Sequence, residues 1–281
     1  MNLIKQRGMT LIELMVAATL SLIIVFFITN IMINSGRTAL QSEGLAQAQE
    51  NGRFILSWLQ SNVRTAGLPY PSNASQERIQ PFADRCSGSI VPPADNSDCS
   101  FDSTASNISD RLAVQRTFIN DTDLRSEQSE RDCTGSTITT VPDGETITDL
   151  YWVETTPADI DSSGYGNELF CATFYNGKVV NSAQAIASGI DGMQVLYGVR
   201  DGANKEYRSN VNRFVSLGDL GPNIDWSTIG AVRIAILTRS FNEQATSRNK
   251  RSYILLDAAP ETFDDSVSRH IQSTTIFLPN E

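Results

Sequence analysis

Polarity along the first third of the chain follows a plan that the rest does not repeat. Met1 to Gly8 is short, polar and positive through Lys5 and Arg7; Met9 to Ile12 is apolar, and Glu13 then interrupts. From Leu14 to Ile33, twenty residues pass without a charge. A helix at ~1.5 Å per residue carries such a run across the ~30 Å hydrocarbon core of a bilayer. Lys5 and Arg7 keep the amino terminus in the cytoplasm, so the chain after Ile33 is expected on the far face. The helical pattern continues beyond the bilayer. No proline occurs between Leu40 and Arg64, and Leu45, Ala48, Ile55, Leu56, Leu59 and Val63 recur at the spacing of one helical face. Gln41, Glu43, Gln47, Gln49 and Gln60 lie largely off that face, and Gly67 before Pro69 is the natural stop. One helix from about Met9 to Ala66 is predicted, its length suggesting a stem. Gly36, Gly44 and Gly52 each lower its intrinsic stability by roughly 1 kcal/mol relative to alanine.

Beyond Gly67 the helical signal ends. Residues 68–110 carry Pro69, Pro71, Pro81, Pro92 and Pro93 among many Ser, Asn and Asp, and read as a long insertion. Strand patterns then dominate: 111–118, 136–141, 147–154, 168–175, 178–181, 190–200, 230–240, 251–257 and 273–278. Asn176-Gly177 predicts a two-residue hairpin turn. Val232, Ile234 and Ile236 alternate with Arg233 and Ala235, as a strand with one packed face requires. The apolar stripe of the stem is the natural cover for that face. The expected fold class is α+β, a long helix laid against an antiparallel sheet with loop insertions. The expected divisions are 1–8, a membrane half of the stem over 9–36, a packed half over 37–66, and a head over 67–281.

Composition changes this picture in two places. The chain is 40% hydrophobic and 19% charged with a formal net charge of −10, and its Lys and Arg are scattered. Nucleic-acid binding by the head is therefore not expected, because phosphate neutralisation needs clustered cations. The four cysteines, Cys86, Cys99, Cys133 and Cys171, lack CxxC spacing, and the single histidine is His270. In an exported chain they read as two disulfides, with three pairings open. Cys86–Cys99 and Cys133–Cys171 are preferred, since each closes a polar, turn-rich loop and adds on the order of 3 kcal/mol.

Candidate chemistry is sparse. One histidine gives no basis for a Ser-His-Asp arrangement, and no P-loop, GxGxxG or HExxH pattern occurs. No enzyme activity, cofactor or metal is expected. Asp159, Asp161 and Ser163, followed by Gly164, copy the first half of a calcium loop. Phe170 stands where that loop needs glutamate, and a polar hairpin loop is the expected explanation.

Glu13 is the residue that a plain membrane anchor does not explain. Buried in lipid without a partner, a carboxylate there costs up to ~3 kcal/mol. A secretory signal peptide does not fit, because the apolar core is too long and ends in Asn34-Ser35-Gly36-Arg37. Cleavage between Gly8 and Met9 resolves the difficulty. It creates an α-amino group near Glu13, which then lies in the first helical turns at the positive end of the helix dipole. In a bundle of staggered parallel helices, the carboxylate of one subunit meets the amino terminus of its neighbour, and the pair sets the stagger.

Gly8-Met9-Thr10-Leu11-Ile12-Glu13-Leu14, between a basic leader and an apolar run, resembles the cleavage and methylation motif of type IV prepilins and type II secretion pseudopilins. Glu50 to Phe54, Val63 to Gly67, Met193 to Val199 and Val232 to Ser240 are similar to segments of PilW-family minor pilins. The resemblance implies cleavage after Gly8 by a prepilin peptidase and N-methylation of Met9. It implies an inner-membrane protein with a periplasmic head that later joins a pilus used in twitching, adhesion or DNA uptake. The partners implied are other minor pilins, the major pilin, the inner-membrane assembly platform and a tip adhesin. Two other readings stay open at this stage, a J-like pseudopilin of type II secretion and a membrane-anchored adhesin outside any filament.

Overall fold

The computed structural model describes residues 9–67, 79–83, 99–103, 109–120, 131–155, 167–200, 211–221, 224–241 and 249–278. Helix α1, Leu11–Val63, runs unbroken for 53 residues, roughly 80 Å at the ordinary rise. Thr10 caps its start in an extended conformation, its hydroxyl accepting the Glu13 N–H at 3.3 Å. The chain leaves the helix through Gly67, whose φ of +70° is the left-handed geometry that favours glycine. The Gly67 N–H donates to the Gln115 carbonyl at 2.9 Å, fastening the end of the stem to the head.

The head holds two antiparallel sheets and a separate hairpin among the described residues. The first sheet is formed by β1 (Leu112–Thr117), β2 (Thr146–Thr155), β3 (Asn167–Tyr175), β4 (Lys178–Val179) and β5 (Gln184–Ser188). Its order is β1-β2-β3-β4, with β5 also pairing to β3. The Asn176-Gly177 turn between β3 and β4 has φ of 48° and 71°, so both residues take the left-handed region that this dipeptide predicts. The second sheet is formed by β6 (Ile190–Arg200), β7 (Val211–Val215), β8 (Ile229–Arg239) and β11 (Arg269–Phe277), in the order β11-β8-β6-β7. The hairpin pairs β9 (Asn249–Tyr253) with β10 (Glu261–Asp265).

The core lies between α1 and these sheets. Ile55, Leu56, Leu59 and Val63 of the helix join Met193, Val195 and Tyr197 of β6, Val232, Ile234 and Ile236 of β8, and Ile276 of β11. The same cluster continues through Leu112, Val114, Tyr151 and Leu169 of the first sheet. The expected α+β architecture is therefore present, with the head divided between two sheets.

Several local expectations are corrected. Leu45, placed on the packed stripe by spacing, is 38% exposed, and Gly44 and Gly52 are buried there instead. Residues 136–141 form no strand beyond one bridge between Arg131 and Thr137. Asp132 closes a turn there by accepting from the Thr134 and Ser136 N–H groups, while Ile138 and Val141 pack with Phe118 and Ile147. The strand expected over 251–257 ends at Tyr253, and Leu256 adopts a φ of +47°. The short strands β5, β7 and β10 are not among the strands that the sequence predicts.

A buried polar network fixes the middle of the head. The Arg116 Nε donates to Asp149 Oδ2 at 2.6 Å, and the Thr173 hydroxyl donates to Asp149 Oδ1 at 2.5 Å. The Thr173 oxygen accepts the Cys133 N–H at 3.0 Å. Cys133 is disulfide-bonded to Cys171 with Cα atoms 6.2 Å apart. Cys99 is also disulfide-bonded, while Cys86 lies outside the described residues.

Candidate assembly interface

The stem divides into two halves by what covers it. From Met9 to Glu43 every helical residue is exposed, including Leu11 at 79% and Ile12 at 71%. Burial begins at Gly44 and continues at Ala48, Gly52, Ile55, Leu56, Leu59 and Val63. The exposed half is long and apolar enough to cross a membrane. Its polar side chains turn back on their own helix. The Thr19, Ser21 and Thr29 hydroxyls donate to the carbonyls of Val16, Ala17 and Val25, and the Asn30 amide donates to that of Phe26. Such bonds reduce the cost of polar groups at lipid depth.

Glu13 stands in the first turn, where four backbone N–H groups have no helical acceptor and the helix dipole is positive. Its carboxylate has no hydrogen bond or ion pair within the chain among the described residues. Met9, at the other side of the Thr10 cap, is 71% exposed. The structure thus places Met9 and Glu13 together at one end of an exposed apolar rod. Gly8 lies outside the described residues, as do Asp159, Asp161 and Ser163. Among the described residues no group of three His, Cys, Asp or Glu side chains is arranged to hold a metal ion. His270 lies in β11, where its carbonyl accepts from the Thr238 hydroxyl at 3.2 Å.

Three long-range hydrogen bonds lock the covered half of the stem to the head. The Thr238 hydroxyl donates to the Ala48 carbonyl at 2.8 Å. The Gln272 Nε2 donates to the Gln49 carbonyl, and the Asn51 Nδ2 to the Ser188 carbonyl, each at 2.8 Å. Residue spacing gave no role to Thr238, Gln272 or Asn51. Only Asn51 carried a signal, as a polar residue beside Gly52 at the edge of the stripe. These bonds fix the direction in which the stem projects, and so where the Glu13 end is presented.

Comparison with known proteins gives matches at both ends of the chain. The family described as Type IV Pilus-assembly protein W matches residues 150–280. The prokaryotic N-terminal methylation motif matches residues 3–29. Among solved structures, a type IV-like pilin from Thermus thermophilus is similar, with 13% identity and a TM-score of 0.42, over 84% of this chain and 97% of that one. Comparison with the curated proteins finds no match. The methylation motif at the start of the stem and the PilW match over most of both sheets support a PilW-family type IV minor pilin.

Proposed function

We propose that this protein helps initiate a type IV pilus and sits at or near its tip, in a complex with other minor pilins. The observation that carries the reading is Glu13: a carboxylate without a partner among the described residues of its own chain, at the end of an apolar rod that the head leaves uncovered. A prepilin peptidase cuts after Gly8 and methylates Met9, which keeps the new amine positive while weakening its hydration. The leader is 1–8, the membrane half of the stem 9–36, the packed half 37–66 and the periplasmic head 67–281. The disulfides are Cys133–Cys171, present in the structure, and Cys86–Cys99.

Before assembly the rod is held in the inner membrane. On extraction by the assembly platform, its apolar surface exchanges lipid for the stems of neighbouring subunits, so little burial energy is lost. Charge then sets the register. Glu13 and a neighbour's amino terminus are each costly in an apolar medium and far less so as a pair. That partner belongs to a subunit nearer the tip, so this protein sits beneath at least one other minor pilin, with the major pilin below and an adhesin above.

Glu13→Ala tests the reading. Cleavage at Gly8 should remain intact by mass spectrometry, while recovery of the protein in sheared pili and pilus number both fall at least tenfold. Normal incorporation of the cleaved variant would remove the register role.

A further inference from the structure

Strand β11 ends the second sheet on one side and pairs only with β8. Two backbone bonds fix which of its groups that pairing uses. The Leu278 N–H donates to the Gly230 carbonyl at 3.0 Å, and the Ser240 N–H to the Ser268 carbonyl at 2.8 Å. Bonded and unbonded pairs alternate in an antiparallel ladder, so the even-numbered residues of β11 bond to β8. The N–H and C=O groups of Ile271, Ser273, Thr275 and Phe277 point the other way, and no described residue bonds to them.

This edge is unguarded. Soluble proteins protect open edges with charge, proline or a covering segment. The outer edge of β1 is covered, since the Ala83 N–H donates to the Ala113 carbonyl at 3.2 Å and the Arg111 N–H to the Phe101 carbonyl at 2.9 Å. Strand β7 carries Arg213 and β4 carries Lys178. From Ile271 to Leu278 there is neither a charged residue nor a proline, in a chain that is 19% charged. The side chains beside the open groups are uncovered as well, with Ile271 at 37%, Phe277 at 56% and Ser273 exposed between them. One strand inward on the same face, Ala231, Ala235 and Leu237 are buried, so the exposed apolar row belongs to the edge alone.

We propose that the β11 edge receives a strand from the head of a different pilin subunit, whose backbone continues the second sheet. The place of the edge argues for such a partner. Gln272 of β11 and Thr238 of β8 hold the stem at Gln49 and Ala48, just past Gly44, where burial of the stem begins. A subunit whose stem packs along the exposed rod therefore brings its head beside this edge. Strand direction narrows the choice. Strand β11 advances along the stem, from Gln272 beside Gln49 to Ile276 in the core with Ile55, Leu59 and Val63. Stems drawn from one membrane run parallel, so two copies cannot pair β11 with β11 about a two-fold axis, which would turn one stem end for end. The incoming strand must run against β11 while its stem runs with this one. In the order β11-β8-β6-β7 each neighbour is antiparallel, so the β7 position at the far edge of such a sheet has that direction. This chain's own β7 is a poor match, because it is five residues long and carries Arg213. Backbone bonds supply the affinity, and Ile271 and Phe277 select an uncharged row on the incoming strand. The inference rests on the reading of this chain as part of a minor pilin complex.

Residue-resolved hydrogen exchange on the full chain in detergent tests whether the edge is open. The Ile271, Ser273 and Thr275 amides should exchange at least tenfold faster than those of Gln272 and Thr274. Equal protection would mean that another segment of this chain covers the edge, and overturns the proposal. A photo-crosslinking amino acid in place of Ser273, in piliated cells, then identifies the occupant. Mass spectrometry should find the linked peptide in the head of another protein with a prepilin cleavage motif, while the same probe at Ser252 on the hairpin does not. A link to a second copy, to a stem or to a protein without that motif overturns the proposal. Ser273→Pro removes an outward N–H and leaves the β8 ladder intact. The melting temperature and cleavage at Gly8 should be unchanged, and recovery in sheared pili should fall at least tenfold. Should that variant fail to fold, Ser273→Lys keeps the backbone, puts a charge on the row and should give the same loss; normal recovery of the folded variant overturns the proposal. The two readings fail separately. Lost pili in Glu13→Ala with no Ser273 crosslink in the otherwise unmodified chain removes the edge alone, whereas that crosslink with normal pili in Glu13→Ala removes the register role alone.

Discussion

Arg116 and Asp149 show how a single buried pair organises the head. Both are almost wholly removed from water, with side-chain exposures of 7% and 2%. Burial alone disfavours the guanidinium charge, yet Asp149, with smaller help from Tyr151 and Asp132, offsets it and leaves the group above its ordinary value. Asp149 also accepts from Thr173, which holds the Cys133 backbone beside the disulfide, and Arg116 Nη2 donates to the Arg131 carbonyl at 2.6 Å. Asp149→Ala leaves a buried cation without its counter-charge and should cost about 3–5 kcal/mol. Urea unfolding of the variant under oxidising conditions measures this; a loss under 1 kcal/mol would show that Arg116 finds another partner. Nothing in the local sequence marked this pair. Arg116 and Asp149 looked like scattered surface charges. The pairing depends on the β1–β2 register, which sets Asp149 opposite Val114 and Arg116 opposite Ile147, so that the two charges lie diagonally on one face of the sheet.

Along the stem, the element most clearly written in the sequence, the detail that failed is also instructive. The apolar spacing identified Ala48, Ile55, Leu56, Leu59 and Val63, all buried, and missed that Gly44 and Gly52 complete the stripe. A glycine leaves no side chain for hydropathy to count, but it allows another group to approach. A Cβ at Gly52 would lie 2.5 Å from Gln272 Nε2, the atom that donates to the Gln49 carbonyl. Gly52→Ala should therefore gain about 1 kcal/mol of helix propensity and lose about 1 kcal/mol as Gln272 swings away, leaving stability nearly unchanged. In a Gln272→Ala background only the gain remains. A double-mutant cycle by chemical unfolding should report a coupling near 1 kcal/mol, and additive effects would mean that Gln272 is not the obstacle.

At the scale of the molecule, the rod and the head are joined only where burial begins. No residue from Leu11 to Glu43 is buried, whereas the covered half contributes to the main core. Removal of residues 1–36 should therefore release a water-soluble protein whose head melts at the same temperature as the full chain in detergent. Calorimetry of both forms checks this, and a lower melting temperature for the shortened chain would show that the membrane half supports the head.

The amino-terminal half of the design follows from sequence alone, because a membrane helix and its charge pattern are local properties. Twenty uncharged residues, a basic leader and one acidic interruption require no long-range contact to be read. The long antiparallel strands β6 and β8 were legible as apolar runs within single segments, but the one packed face expected from Val232, Ile234 and Ile236 is corrected: Ala231, Ala235 and Leu237 on the other face of β8 are buried as well. What only the tertiary structure decided is the company each segment keeps: the division into two sheets, the short strands β5, β7 and β10, and the hydrogen bonds from Thr238 and Gln272 to the stem. Such features arise from pairs far apart along the chain, and the energy that selects them exists only once the core has brought those pairs together.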